Sequence, residues 1–288
     1  MTTNAPFFKS ITLSDVVLRV RDLETSATFY RYTLGFQVVS QEPDRIKLSP
    51  NGREPSLIVL ERAPDALPRP PGSSGLFHAA ILYPDRGSLG RITKTLLARK
   101  IRVATGDHGV SEAVYLDDPE GNGLELYADR PASVWPKPTS AGDTLGMYTE
   151  AVDLPSLLEA GGEDHAGPLM PTSTRLGHVH LSVANLSATE RFYHELLGFD
   201  VTVRSFPGAI FLGRDGYHHH LGTNIWRSRT PAVEGVLGLV RFTLRFAQPE
   251  TFSRVAQALG QATAAKNNGS LSVRDPNGIE VVVTLNSG

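Results

Sequence analysis

The chain has no cysteine. Disulfides, thiolate metal sites and cysteine nucleophiles are thereby excluded. A bound metal would have to be held by His, Asp or Glu, a donor set that suits Fe(II), Mn, Ni or Zn rather than Cu(I) or clusters. An excess of one charge is also missing: 28 Lys+Arg against 30 Asp+Glu give a formal net charge of −2. That balance gives no electrostatic footing for nucleic acid or an acidic membrane surface. No apolar run approaches the ~18 residues of a membrane span. Residues 1–10 lack the basic start and apolar run of a secretory signal, so a cytoplasmic protein is the expectation. Phosphate-cradling loops, a dinucleotide fingerprint and a Gly-x-Ser-x-Gly elbow are all missing.

What is there is an internal repeat. Residues 15–23 return as residues 178–186, an offset of 163 (178 − 15). At the same offset Phe29-Tyr30 returns as Phe192-Tyr193, and Leu34-Gly35-Phe36 as Leu197-Gly198-Phe199. Asp118-Pro-Glu-Gly-Asn-Gly-Leu-Glu125 returns as Asp275-Pro-Asn-Gly-Ile-Glu280, two residues shorter. Similarity at a fixed distance reports duplicated supersecondary units.

Four segments share one order of elements: strand, helix, three short strands. Residues 13–21 alternate apolar and polar side chains, as a half-buried strand does. Asp22 or Thr25 is placed to cap the helix that follows, and Gly35 to end it. Strands are expected near 36–42, 45–49 and 56–61. The second unit begins at residues 76–83, with a helix over 88–99 and strands near 101–104, 112–117 and 123–128. The third and fourth units span 176–226 and 236–285. Residues 63–74 join the first two units. The Pro- and Gly-rich stretch 129–175 reads as the linker between halves, with a short helix over 154–160 and some order from Trp135 and Met147. Chain order then gives a first domain over 1–130 (units 12–61 and 76–128), a linker over 131–175, and a second domain over 176–288.

This ordered set, with Phe-Tyr and Leu-Gly-Phe in odd units and Asp-Pro and Glu in even ones, resembles the vicinal oxygen chelate superfamily. Glyoxalases, bleomycin resistance proteins and extradiol dioxygenases belong to it. The segments 107–112, 121–131, 177–181 and 216–222 look more like the two-domain bacterial catechol-2,3-dioxygenase type. The resemblance implies an α+β fold in which four βαβββ units pair into two cupped mixed-sheet modules. Metal ligands are expected from first and last strands of units.

First-strand positions hold Asp15, His78, His178 and Leu239. Last-strand positions hold Ile58 or Val59, Glu125, the Tyr217–His220 run, and Glu280. Pairing the second unit with the third gives His78, Glu125 and His178, the preferred ligand set. Pairing in chain order gives His178, a histidine of 218–220, and Glu280, and the sequence leaves both open. If the run were a strand, His218 and His220 would face one way and His219 the other. His219 matches the family's acid/base position, with His220 the second catalytic candidate. His108, Tyr217 and Arg241 are candidate substrate contacts. His180 reads as a core or supporting residue, and Phe211, Tyr217 and Trp226 as core or an aromatic-tolerant wall.

The resemblance implies an Fe(II)-dependent extradiol dioxygenase acting on a catechol-type diol with O2. Mn, Ni or Zn would fit the same donors. A metal-dependent glyoxalase-like lyase or isomerase, and a metal-free protein that binds an aromatic compound, are the alternatives. A small aromatic substrate and O2 are the expected partners, together with a homo-oligomer.

Overall fold

The structure is a computed structural model and describes residues 8–163, 169–260, 263–267 and 269–286. Unit one runs β1 (Ile11–Val20), α1 (Leu23–Thr28), β2 (Gln37–Glu42), β3 (Arg45–Ser49) and β4 (Ile58–Arg62). Unit two runs β5 (Gly75–Leu82), α2 (Arg86–Ala98), β6 (Ala104–Asp107), β7 (Ser111–Asp117) and β8 (Gly123–Asp129). A linker helix, α3 (Leu154–Ala160), follows. Unit three runs β9 (Arg175–Ser182), α4 (Leu186–Glu190), β10 (Asp200–Val203), β11 (Ala209–Gly213) and β12 (Leu221–Asn224). Unit four runs β13 (Gly238–Phe246), α5 (Pro249–Leu259), β14 (Thr263–Asn267), β15 (Ser270–Arg274) and β16 (Glu280–Leu285).

Local chemistry explains the boundaries. The Asp22 side chain accepts from the Thr25 amide at 3.0 Å and starts α1. Gly35, at φ 91°, ends the following π-helical turn Phe29–Leu34. Strand β6 begins three residues later than the sequence suggests. The end of α2 occupies that stretch: the Ile101 amide still bonds to the Leu96 carbonyl, at 3.0 Å, and Lys100 sits at φ 58°. Helix α3 lies against α2 at a point where only glycine fits. A Cβ at Gly90 would stand 2.3 Å from the Leu157 carbonyl oxygen.

The strands form two eight-stranded sheets. One has the order β14-β15-β16-β13-β1-β4-β3-β2, the other β10-β11-β12-β9-β5-β8-β7-β6. The sheets therefore join unit one to unit four and unit two to unit three, in place of the chain-order division at 1–130 and 176–288. The reason lies in the first strands. Each unit leaves its first strand as an open edge that must be covered, and β1 closes antiparallel on β13 while β5 closes antiparallel on β9. The segment 63–74, stiffened by Pro64, Pro68, Pro70 and Pro71, carries the chain from one sheet to the other.

Two repeated motifs hold consecutive units together across this exchange. The Tyr30 hydroxyl donates to Asp118 at 3.0 Å, and the Tyr193 hydroxyl donates to Asp275 at 3.0 Å. Each aspartate also accepts amides of its own turn, Glu120 and Asn122 in one case and Asn277 and Ile279 in the other. Burial raises the pKa of both carboxyls, against those hydrogen bonds. One apolar core runs through both sheets, with Val16, Leu18 and Phe242 from the first and Ala79, Ile81, Leu126, Val179 and Leu181 from the second. Among the described residues, no helix is long and apolar enough to cross a membrane.

Candidate metal centre

Side chains alternate across a strand, so the face of β5, β8 and β9 opposite the core residues carries another set. On β5 it holds His78 and Ala80, on β8 Glu125, Tyr127 and Asp129, and on β9 His178 and His180. Register does the rest. Ala80 pairs with Glu125 on one side and with His178 on the other. The small alanine between them leaves room for the carboxylate and imidazole to lean together. His78 lies two residues along the same strand face.

The Nε2 atoms of His78 and His178 lie 2.8 and 3.1 Å from the same Glu125 oxygen. One ligand atom from each of the three residues falls within 4.8 Å of the others. All three residues are buried. The His78 contact is short, yet its Nε2 counts among buried atoms with no aligned hydrogen-bond partner. A nitrogen close to a carboxylate but not aimed at it is what two ligands of a shared ion look like. Adjacent ligands at right angles, with bonds of about 2.1 Å, stand about 3 Å apart. The donor set, two imidazoles and a carboxylate, fits a divalent ion of the Fe(II), Mn, Ni and Zn group.

Electrostatics point the same way. Burial alone would raise the Glu125 pKa, but the charges and hydrogen bonds of His178 and His78 hold it well below the usual carboxylate range. Burial pushes His178 down to about 4, against the pull of Glu125. Both groups therefore stand ready as ligands at neutral pH, the carboxylate ionised and the imidazole neutral.

Other expected residues are distributed around this group. His219 lies against His178, ring centroids 4.2 Å apart, and against Phe211 at 4.9 Å. The run 218–220 precedes β12 rather than forming part of it, so strict alternation does not hold. His218 and His219 meet through their Nδ1 atoms at 2.8 Å. His220 instead packs among Phe8, Phe199 and Tyr217. Tyr217 is buried, with its hydroxyl against Tyr127 and Asp129, and is not placed as a substrate contact. Arg241 sits on the other sheet, where it pairs with Asp15 at 3.2 Å. Glu280 is on that sheet too and accepts from Ser272 at 2.7 Å. The alternative set of His178, the histidine run and Glu280 is therefore not brought together.

His108 reaches the site through a residue that sequence reasoning passed over. Its Nε2 is 2.6 Å from the Tyr115 hydroxyl. Tyr115 pairs with Glu125 in the β7–β8 ladder, and burial first, then the neighbouring Glu125 charge, raises its pKa well above 10.0. Asp129 was missed as well, although it shares strand parity with Glu125. His180 accepts from the Asn224 amide at 3.0 Å and contacts Phe77, Phe211 and Trp226. A groove of about 1070 Å³, lined in part by Phe77, His78, Tyr115, Ser182 and Arg227, opens onto His78.

A family model described as the Glyoxalase/Bleomycin resistance protein/Dioxygenase superfamily matches residues 12–126 and 175–283. The chain is 40% identical over 269 residues to the Catechol-2,3-dioxygenase of Bacillus subtilis (strain 168), covering 90% of this chain and 92% of that protein. It is 29% identical to Biphenyl-2,3-diol 1,2-dioxygenase 2 of Rhodococcus globerulus, over 51% of this chain and 80% of that protein. Among solved structures, glyoxalase I from Zea mays superimposes with a TM-score of 0.58 at 16% identity, covering 96% of this chain and 92% of that one. That likeness concerns the fold. Two matched segments, one on each side of the linker, and a relative of nearly full length lead to one conclusion: the chain belongs to the Glyoxalase/Bleomycin resistance protein/Dioxygenase superfamily.

Proposed function

We propose that this chain is an extradiol ring-cleaving dioxygenase that uses Fe(II), held by His78, Glu125 and His178, to act on a catechol-type diol with O2. The observation that carries the reading is a buried group of three ligands and no more. Among the described residues, no fourth His, Asp or Glu joins it. A fourth protein ligand would close a position and favour a glyoxalase-like Lewis-acid reaction. Three ligands on one side leave neighbouring positions free for a diol and O2. The full-length likeness to a protein named for catechol cleavage supports the same reading.

When bound, Fe(II) supplies Lewis acidity toward the two diol oxygens and a route for electrons from ring to O2. The chain's own side chains do the rest. His219, in ring contact with His178, is placed to take a proton from the diol and return it to the product. Its pKa lies well below 6.5, chiefly through burial and then through repulsion from His178 and His218, so it is a neutral base at pH 7. The Tyr115 hydroxyl, positioned by His108, offers a hydrogen bond beside Glu125. Phe77, Phe211 and Trp226 flank His180 and give an aromatic ring apolar surface while limiting water.

The test is anaerobic loading with Fe(II), then addition of catechol and O2. A yellow ring-opened semialdehyde is expected, and it should be lost in Glu125→Ala and His178→Ala. Turnover of a hemithioacetal with no O2 uptake would overturn the proposal in favour of the lyase or isomerase reading.

A further inference from the structure

A line of polar side chains runs back from the ligand group into the protein. His219 touches His178, and its Nδ1 is 2.8 Å from Nδ1 of His218. His218 Nε2 in turn is 2.9 Å from Oδ1 of Asp129. The Tyr217 hydroxyl is 3.2 and 3.1 Å from the two Asp129 oxygens and 2.7 Å from the Tyr127 hydroxyl. The His218 and Asp129 side chains are 0% and 2% exposed. Space for this arrangement depends on a glycine: a Cβ at Gly177 would stand 1.8 Å from the Tyr127 hydroxyl oxygen.

Hydrogen-bond direction can be followed along the line. An aspartate carboxylate only accepts, so His218 Nε2 carries the hydrogen. An imidazole whose single hydrogen sits on Nε2 presents a bare Nδ1. Two imidazole nitrogens 2.8 Å apart need one hydrogen between them, so His219 Nδ1 is the donor. Neutral His219 is left with its lone pair on Nε2. That atom, on the ring edge away from His218, has no protein hydrogen-bond partner among the described residues.

We propose that Asp129, acting through His218, fixes the tautomer of His219 so that Nε2 is a bare proton acceptor. The proposal rests on the reading of His219 as the proton carrier. Asp129 and His218 are positioning residues: neither is in the ligand group, and each acts through its neighbour. The logic is that of a carboxylate orienting a histidine base, extended by one further imidazole. It assigns a reason to two adjacent histidines where the reaction uses one.

The test is Asp129→Asn. In the asparagine the Tyr217 hydroxyl holds the amide oxygen, which leaves the NH2 facing His218 Nε2; it donates there and reverses every hydrogen in the line, which places a hydrogen on His219 Nε2. Nitrogen-15 NMR of the iron-free protein, with His219 assigned by comparison with His219→Gln, reads the tautomer directly. His219 protonated on Nδ1 in the wild type and on Nε2 in Asp129→Asn is the expected result. In the iron-loaded protein kcat should fall on the order of 100-fold, with KM and iron content little changed. The same substitution in a His219→Gln background should cause no further loss. Wild-type His219 protonated on Nε2 would overturn the proposal, and that spectrum decides even if the variant fails to fold. So would Asp129→Asn with wild-type tautomer and kcat. An Nδ1-protonated His219 in a protein inactive on catechol would leave the relay standing and remove the assigned reaction.

Discussion

Acidification of the metal-free protein should destabilise it, because the site stores several imidazoles in neutral form. Burial pushes His178 down to about 4. His180 and His219 are likewise held well below 6.5, chiefly by burial. In the unfolded chain these groups titrate near 6.5. Below that pH the unfolded state takes up protons that the folded state refuses, so stability falls as pH drops. For His178 the loss runs from about pH 6.5 to about pH 4. One pKa unit corresponds to about 1.4 kcal/mol, so this residue alone removes about 3 kcal/mol by pH 4. His180 and His219 act with the same sign. Glu125 joins them at lower pH, since its depressed pKa contributes stability that is present above 4.5 and lost as pH falls. The His178 loss alone is a large share of the ~5–15 kcal/mol that stabilises a typical folded protein. Urea unfolding of metal-free protein at pH 7, 6 and 5 and constant ionic strength, followed by tryptophan fluorescence, measures the slope. A steep fall is expected, and His219→Gln should flatten it. A level stability from pH 7 to pH 5 would refute the assignment of buried neutral histidines.

Glu125→Ala should weaken binding of a divalent ion by more than roughly 100-fold, whereas Glu280→Ala should leave it intact; calorimetric titration compares them. Gly90→Val forces a Cβ toward the Leu157 carbonyl and should cost about 1–3 kcal/mol, read as a lower Tm at unchanged metal stoichiometry. Tyr30→Phe leaves the buried Asp118 short of a donor and should cost about 1–3 kcal/mol, measured by denaturant unfolding.

Much of the fold lies in local signals. The Asp22 cap, the Gly35 stop and α3 over Leu154–Ala160 each follow from one or two side chains and need no long-range information. The four units follow from the repeat. Their pairing is a different matter, because β1, β5, β9 and β13 all offer an apolar edge and local pattern does not say which two edges meet. That ambiguity is why two ligand sets were open. His78, Glu125 and His178 were visible as residue types at strand positions, but their convergence depends on Ala80 standing between β8 and β9. The resemblance puts the histidine run at a last-strand position, whereas the turn at residues 214–217 places it before β12 and turns His218 and His219 toward each other. Asp129 was within reach, four residues beyond Glu125 and on the same face. Tyr115 was not, since only the hairpin register between β7 and β8 sets it beside Glu125.

The proposed reaction needs one divalent ion gripped by two imidazoles and one carboxylate, with adjacent positions left to solvent or substrate. Anaerobic titration of metal-free protein with Fe(II), followed by X-ray absorption at the iron edge, tests it most directly. One ion per chain is expected, with two imidazole nitrogens, one carboxylate and a remainder of light oxygen ligands that catechol displaces. A site that keeps its full affinity in His78→Ala and His178→Ala, or iron that shows no imidazole scattering, would contradict it.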